Sequence, residues 1–296
     1  MYNIFNEDCI SGMKKLDDNS IDFICADLPY NLTDCAWDKS IIDLSAMWTE
    51  IKRILKPYCS VALFASSKFT FTLYNSNPEW YKYKWIWIKN TPTMFVHAKN
   101  APMRKYEEIL IFSDGAINHK SCSNRRMKYN PQGVVDTQLR GGGKYFHSTH
   151  KVSDVSLQGG KPKGNAERCY HCHGDWERSG RLKAFGNVLG KRPSQVDYYI
   201  QEQTGYPTDI LYFNTPHNVG KLHPSQKPVA LLEYLIRTYT NEGETVLDAT
   251  MGSGSAGVAA VNTSRNFIGY EIDKNFFGIA QKRIEEAQAK KAQELF

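Results

Sequence analysis

Hydrophobic and polar positions over the first 113 residues follow the periods of strands and helices in turn. Continuous apolar runs are typical of strands buried on both faces, and a strict alternation is typical of a half-buried strand. Residues 41–56 carry apolar side chains at helical spacing, and Pro57 is expected to close that helix. The segment 69–76 is short and ambiguous. The patterns predict strands at 20–27, 60–66, 81–89 and 107–115.

The same alternation returns near the end of the sequence. The patterns predict helices at 228–240, 256–264 and 274–293, and strands at 244–250 and 266–273. Strands that alternate with helices indicate an α/β fold with a mostly parallel sheet.

The middle of the sequence has a different character. Residues 114–205 hold 13 of the 21 glycines and five of the eight histidines, with few continuous apolar runs. This composition predicts a loop-rich insert at 114–205 within a body formed by residues 1–113 and 206–296.

The net charge is distributed unevenly between these parts. The chain has 37 Lys and Arg against 31 Asp and Glu, which gives +6. The insert contains 15 basic and 8 acidic residues (+7), so the remaining 22 basic and 23 acidic residues give −1. The basic insert therefore predicts an anionic partner. A solvated insertion without a partner is the alternative.

Several classes of protein are disfavoured by the sequence. No apolar run approaches the roughly 18 residues that a membrane span needs, and the first ten residues lack the basic and apolar regions of a secretory signal. Seven cysteines, an odd number spread along 296 residues, are typical of reduced thiols. We therefore expect a cytoplasmic protein without a membrane segment.

The first candidate site follows the strand at 20–27. The tetrapeptide Asp27-Leu28-Pro29-Tyr30 combines a carboxylate, a rigid proline turn and an aromatic ring at a strand end. Ligands of open parallel sheets bind at that end of the strands, so this turn offers a hydrogen-bonding and stacking surface. A strand-terminal turn without a catalytic role is the alternative.

The second candidate site is a glycine loop between a strand and a helix. Asp248 is followed by Gly252 and Gly254, whose lack of a side chain allows a ligand to approach the backbone. Glu271 ends the next strand, 23 residues after Asp248, a spacing that suits hydrogen bonds to ribose hydroxyls. The pattern favours a cofactor that contains adenosine, and an ordinary turn with a surface glutamate is the alternative.

These segments together resemble the β group of amino-group DNA methyltransferases, which use S-adenosylmethionine. The order along the chain is DLPY (27–30), the basic insert, HPSQKP (223–228) and DATMGSGS (248–255). The similarity extends over both blocks of the body, at 1–113 and about 206–285.

The resemblance implies a permuted Rossmann-like methyltransferase sheet with an inserted target-recognition domain. It implies transfer of a methyl group to adenine N6 in double-stranded DNA, on a base flipped out of the duplex. The catalytic residues would be Asp27, Leu28, Pro29 and Tyr30, with the Asp27 carboxylate and the Leu28 carbonyl accepting the amine protons and Tyr30 stacking on the base. No metal is required. Cofactor contacts would come from Asp8, Ser225, Lys227, Asp248, Thr250, Gly252, Gly254 and Glu271.

The sequence departs from the family pattern at three places. Leu28 replaces the usual second proline of D-P-P-Y, Ala249 and Thr250 replace the proline and phenylalanine of the cofactor loop, and Ser225 replaces threonine. An acidic first residue accompanies N6-adenine products in this family, which favours adenine over cytosine N4. Methylation of cytosine N4 or of RNA, a catalytically silent DNA-binding relative, and a nicotinamide-dependent oxidoreductase are the alternatives.

The insert then becomes the candidate DNA-binding region. Phosphate contacts would account for most of its basic residues. The expected partner is double-stranded DNA. The sequence leaves open whether the protein also has a cognate restriction endonuclease and whether it works as a monomer or as a homodimer. The candidate DNA contacts are Arg125, Arg126, Arg140, Lys144, Lys191 and Arg192.

The insert also contains the segment CYHCH at 169–173. Cys169 and Cys172 have the spacing of a zinc knuckle, and His147 and His150 form a pair 19 residues earlier. A zinc site built from these four residues is one hypothesis, and free side chains are the other. Attachment of a c-type haem would require an exported protein, which no other feature supports.

Overall fold

The computed structural model describes residues 1–29, 42–117, 125–136, 203–215 and 226–294. The described helices are α1 (Cys9–Met13), α2 (Leu44–Ile54), α3 (Lys68–Ser76), α4 (Val229–Tyr239), α5 (Ser255–Asn262) and α6 (Lys274–Glu294). The described strands are β1 (Tyr2–Phe5), β2 (Ile21–Ala26), β3 (Leu55–Ala65), β4 (Tyr81–Thr93), β5 (Arg104–Phe112), β6 (Val135–Asp136), β7 (Gln203–Thr204), β8 (Ile210–Tyr212), β9 (Thr245–Asp248) and β10 (Asn266–Tyr270).

Eight of these strands form one sheet in the order β1-β10-β9-β2-β3-β5-β4-β8. Five of the seven neighbouring pairs are parallel, and only β5 runs against its neighbours β3 and β4. The predicted α/β class with a mostly parallel sheet is confirmed.

Both faces of the sheet are covered, which explains the continuous apolar runs in the sequence. All six residues of β2 are buried. One apolar layer joins β2, β4, β5 and β9 to helices α4, α5 and α6, and the other packs α1, α2 and α3 against β2 and β3. Within the described residues, no helix is both long and apolar enough to cross a membrane.

Most predicted elements are confirmed within a few residues, and the differences have local causes. The ambiguous segment at 69–76 belongs to helix α3, which buries only Leu73. Helix α2 ends at Ile54, three residues before Pro57, and β3 begins at once with Leu55. A residue before proline is pushed towards extended backbone, so Pro57 lies in the strand and not at the helix end.

The chain divides into two compact units, one formed by Met1–Gln132 with Thr208–Phe296 and the other by Gly133–Pro207. Strands β6 and β7 pair antiparallel within the second unit. The first unit extends beyond the predicted boundary at residue 113, because Met127 is buried in its core. The assignment of the insert to target recognition stays a prediction.

Candidate active site

A cleft opens at the carboxyl edge of the sheet, where β2, β9 and β10 end side by side. Its empty space is about 970 Å³, including the part that is open to solvent. The turn after β2, the loop after β9 and the residues before α4 all line it. Three motifs that are far apart in the sequence therefore converge where open parallel sheets bind their ligands.

Asp27 and Pro29 line the cleft at the exit of β2. The main-chain carbonyl of Asp27 accepts a hydrogen bond from Thr250 Oγ1 at 3.0 Å. Leu28 points its side chain into the apolar layer beside α2 and is only 3% exposed. The end of β2 is thus attached to the glycine loop on one side and to the core on the other. Tyr30 lies outside the described residues.

Lys227 directs its ammonium group at Asp27. Its Nζ lies 2.5 Å from Asp27 Oδ2 and 3.5 Å from Glu107 Oε2. The same nitrogen lies 4.9 Å from the centre of the Phe64 ring. Burial alone would lower the pKa of Lys227, but the carboxylates of Asp27 and Glu107 outweigh burial and raise it. Lys227 is therefore charged.

Glu107 connects Lys227 to a second lysine. Lys89 pairs with Glu107 Oε1, while Glu107 Oε2 faces Lys227. Burial would raise the pKa of Glu107, yet the two lysines lower it, so the carboxylate is ionised. Asp27, Lys227, Glu107 and Lys89 form a row of alternating charges, which we call the charge row.

The sequence motifs contain neither Glu107 nor Lys89. The sequence indicates them only by an acidic residue in the strand predicted at 107–115 and a basic residue in the strand predicted at 81–89. Their relation to Lys227 depends on contacts across 120 residues or more of chain, which no local pattern reveals.

Asp248 ends β9 and is 7% exposed. Its Oδ1 accepts a hydrogen bond from the main-chain nitrogen of Thr250 at 3.0 Å. Burial raises the pKa of Asp248 to about 8, and the negative charges of Asp27 and Glu271 add to the effect. In the part of the chain that the structure describes, Asp248 has no salt-bridge partner. A ligand with a positive charge would favour its ionised form.

Glu271 follows β10 and closes the glycine loop. Its Oε2 accepts a hydrogen bond from the Gly252 nitrogen at 2.9 Å, and its Oε1 accepts one from the Asp273 nitrogen at 2.8 Å. Gly254 has φ +79°, and a Cβ there would lie 2.8 Å from the Ala280 Cβ. Only glycine fits that position, because both the backbone conformation and the packing exclude a side chain.

The charge of the cleft favours a cationic ligand. Asp8 caps α1 by accepting a hydrogen bond from the Ser11 nitrogen at 2.8 Å, and it also lines the cleft. Among the described lining residues, one lysine, Lys227, faces five carboxylates. The five acidic residues are Glu7, Asp8, Asp27, Asp248 and Glu271.

Two of the predicted DNA contacts lie at the opposite edge of the sheet. Strand β5 runs against its neighbours, so its end at Phe112 is at the amino edge. The carbonyl of Arg125 pairs with the Ala116 nitrogen just beyond that end, and Arg125 and Arg126 are exposed there. Both arginines are therefore remote from Asp27.

The remaining predicted residues lie outside the described residues. Within the described ranges, no group of His, Cys, Asp and Glu has the arrangement of a metal site. The zinc and DNA-contact hypotheses for the other residues stay predictions. These residues are Ser225, Arg140, Lys144, Lys191, Arg192, His147, His150, Cys169 and Cys172.

Comparison with known proteins identifies the family. A family model of N6 and N4 methyltransferases, described as DNA methylase, matches residues 21–282. The chain belongs to the N6/N4 DNA methylase family. It is similar to the type II methyltransferase M.HpaI of Haemophilus parainfluenzae, with 25% identity over 285 residues, which cover 93% of this chain and 72% of that protein.

Other similarities of this DNA methyltransferase are local or structural. DNA adenine methyltransferase YhdJ of Escherichia coli (strain K12) is 40% identical over 73 residues, 25% of each chain. The M1.HpyAVI–SAM complex superimposes with a TM-score of 0.55 at 21% identity, over 96% of this chain and 99% of that one. PvuII DNA methyltransferase (cytosine-N4-specific) gives 0.57 at 13% identity, over 98% and 92%. The predicted Rossmann-like methyltransferase fold is confirmed.

This methyltransferase uses S-adenosylmethionine, as its family does. The cleft fits that cofactor, because S-adenosylmethionine carries positive charge on its sulfur and amino groups. Those charges are matched by the excess of carboxylates in the cleft and by the buried Asp248, which has no salt-bridge partner among the described residues.

Two departures from the family pattern have structural roles in this methyltransferase. The Leu28 side chain packs in the core below the turn that follows β2, and its backbone leads into Pro29. Thr250, in place of the usual phenylalanine, uses its hydroxyl to hold the Asp27 carbonyl. The loop therefore contacts the end of β2 by a hydrogen bond.

Proposed function

We propose that this methyltransferase transfers a methyl group from S-adenosylmethionine to the N6 amino group of adenine at specific sites in double-stranded DNA. The proposal depends mainly on one observation: an acidic residue, Asp27, lies at the strand end that lines the cleft. An acidic residue at that position accompanies N6-adenine products in the family. The local similarity to an adenine methyltransferase, YhdJ, supports the same base.

Asp27 and the Leu28 carbonyl would activate the amine. The exocyclic amine of adenine is a poor nucleophile, because its lone pair is delocalised into the ring. Two acceptors, the Asp27 carboxylate and the Leu28 carbonyl, would hold its protons and direct the lone pair towards the methyl group. Positioning and electrostatics then supply most of the catalysis.

The remaining cleft residues would hold the cofactor. The bound cofactor supplies a methyl group that its sulfonium already activates. Asp248 would accept the amino group of its methionine part, and Glu271 would accept the ribose hydroxyls. Asp8 would contact the adenosine end, while Gly252 and Gly254 leave room for the chain of the cofactor.

DNA would approach from the carboxyl edge of the sheet, because the target base must leave the duplex to reach Asp27. The hairpin between β4 and β5 extends at this edge, where Arg104 donates to Ser66 Oγ just after β3 at 2.8 Å. Phe95 and Val96 at its tip are 80% and 89% exposed. Residues 94–105 contain three basic residues and no acidic one, which suits a phosphate backbone.

The target sequence would be recognised by the chain between β6 and β7, which carries most of the basic insert. Type II methyltransferases such as M.HpaI are among the relatives, so a cognate restriction endonuclease is a candidate partner. A homodimer is the further assembly that we propose to test by light scattering.

The test is digestion and mass spectrometry of DNA that the purified protein has methylated in vitro. We expect N6-methyladenine. N4-methylcytosine would replace the proposed base, and DNA binding without any methylated base would indicate a silent relative.

The Asp27→Ala variant should give no product and still bind the cofactor, whereas Asp17→Ala, at an exposed site outside the cleft, should match the unchanged protein. Retained turnover in Asp27→Ala would contradict the role of Asp27.

A further inference from the structure

Glu107 has an unused acceptor at the edge of the active site. Its Oε1 is paired with Lys89. Among the described residues, Oε2 is buried and accepts no hydrogen bond of good geometry, although Lys227 Nζ lies only 3.5 Å away. A buried carboxylate oxygen without a hydrogen bond is costly, so this position calls for an explanation.

Lys227 occupies the Asp27 carboxylate, which the target base also needs. Its ammonium lies 2.5 Å from Asp27 Oδ2, where it competes with the amine protons of a target base for the carboxylate. The ammonium is buried and cannot remain without an anion when the base arrives, because an uncompensated buried charge is strongly destabilising. A second anion must therefore pair with the Lys227 ammonium before the Asp27 carboxylate can accept a proton from the base.

We propose that Glu107 is a positioning residue that receives the Lys227 ammonium when the amine of the target base enters, so that Asp27 Oδ2 becomes free to accept an amine proton. The inference rests on the proposed methylation of an exocyclic amine. The shift needed at Nζ is less than about 1 Å, because an ordinary N–H···O hydrogen bond is about 2.9 Å long. No covalent bond forms or breaks in this step.

The described surroundings of Lys227 are compatible with this movement. The Phe64 ring lies beside its ammonium at 4.9 Å and would remain a cation–π partner in both positions. Asp248 and Cys25 are further titratable groups that lie close enough to interact electrostatically with it. Lys89 keeps the opposite oxygen of Glu107 fixed, so Oε2 stays directed at Lys227.

The test is single-turnover methylation with saturating cofactor and DNA. In Glu107→Gln the acceptor charge is lost, the ammonium stays on Asp27, and the rate should fall by about 10- to 100-fold. Cofactor and DNA affinities should stay within about twofold, because Glu107 is not among the described residues that line the cleft, so the change should appear in kcat and not in KM.

Glu108→Gln is the matched control. Glu108 is the next residue of β5 and is also buried, but it pairs with Lys84 and Thr70 outside the cleft. Its rate should stay within about twofold of the unchanged protein, because removal of a group outside the site costs stability and not transition-state binding. Equal rates for Glu107→Gln and Glu108→Gln would overturn the inference.

The double variant separates positioning from a structural role. If Lys227 blocks Asp27 once Glu107 is neutral, then Lys227→Met in the Glu107→Gln background should restore part of the lost rate. Losses that simply add would indicate two independent structural contributions and overturn the proposal. Should Glu107→Gln fail to fold, Glu107→Asp keeps the charge, withdraws the oxygen by one methylene and predicts the same loss of kcat.

The outcome for the unchanged protein separates this inference from the proposed function. Methylation of cytosine N4 would refute the choice of adenine. It would leave the test of Glu107 intact, because the exocyclic amine of cytosine also needs Asp27 as an acceptor for its proton. Absence of any methylated base would overturn both.

Discussion

Cofactor binding should depend on pH through Asp248. Burial raises its pKa to about 8, so the carboxyl group of the ligand-free protein is mostly protonated at pH 6. If Asp248 binds the amino group of the cofactor, it must be ionised in the complex. Binding near neutral pH would then release a proton, and the affinity should rise as the pH rises towards 8.

The size of this effect follows from the ionised fractions. With a pKa of about 8, roughly 1% of Asp248 is ionised at pH 6 and about half at pH 8. The amino group of the cofactor, with a pKa near 8, is itself about half neutral at pH 8. The product of the two fractions predicts an affinity about 25-fold higher at pH 8 than at pH 6.

Isothermal titration calorimetry tests this prediction. Titrations at several pH values, each in two buffers of different ionisation enthalpy, report both the affinity and the number of protons released. Asp248→Asn keeps an acceptor for the Thr250 nitrogen but cannot ionise, so its weaker affinity should vary with pH only through the cofactor's amino group. An affinity that changes less than twofold between pH 6 and 8 in the unchanged protein would refute the role of Asp248.

The same residue should make the ligand-free protein less stable at higher pH. The pKa of Asp248 is 3.8 as a reference value and about 8 when folded, so the unfolded chain loses this proton first as the pH rises. The free energy of unfolding therefore falls between about pH 4 and pH 8. Asp248→Asn should recover at most about 5 kcal/mol at pH 8 and little at pH 4, as measured by urea denaturation.

Two further variants test contacts of the site. Thr250→Val removes the hydrogen bond to the Asp27 carbonyl and should slow single-turnover methylation about tenfold with little change in cofactor affinity, while Thr250→Ser should retain the rate. A Thr250→Val protein with an unchanged rate would show that this bond is dispensable. Phe95→Ser should weaken DNA binding about tenfold by fluorescence anisotropy, whereas Ile117→Ser, beyond β5 at the opposite edge, should not. Equal affinities for the two would count against the hairpin as a DNA contact.

Elements whose burial follows a regular pattern along the sequence were predictable. The strand at 20–27 is covered on both faces, so its apolar run is continuous and corresponds to β2. The segment 69–76 alternates like a strand, yet it forms helix α3 because its packing against β3 and β5 decides the outcome. Strand β1 is only four residues long, and its pairing with β10 stabilises it. Such tertiary contacts leave no local pattern.

The motifs that line the cleft were predictable because each is a local pattern in the sequence. The salt bridges between their charged side chains were not. Asp27 and the loop after Asp248 each combine a strand end with a turn, which is a local pattern. The pairing of Lys227 with Asp27 joins residues that are 200 positions apart in the sequence. Glu107 lies on the antiparallel strand β5, which belongs to neither motif. The charge row is therefore a property of the fold that neither segment contains by itself.

The ladder between β6 and β7 bears on how such an enzyme acquires new targets. Asp136 lies opposite Gln203, so the intervening residues 137–202 leave and rejoin the described chain at adjacent points. Loop-closure entropy costs only about 0.6 kcal/mol for each doubling of length, so that segment can be lengthened or exchanged with little effect on the paired ends. On the proposal that this segment recognises the target, a chimaera that takes it from a relative should keep its own chemistry and acquire the donor's choice of site. If this segment recognises the target, as we propose, specificity would be a module that evolution, or an engineer, could replace at a two-strand junction.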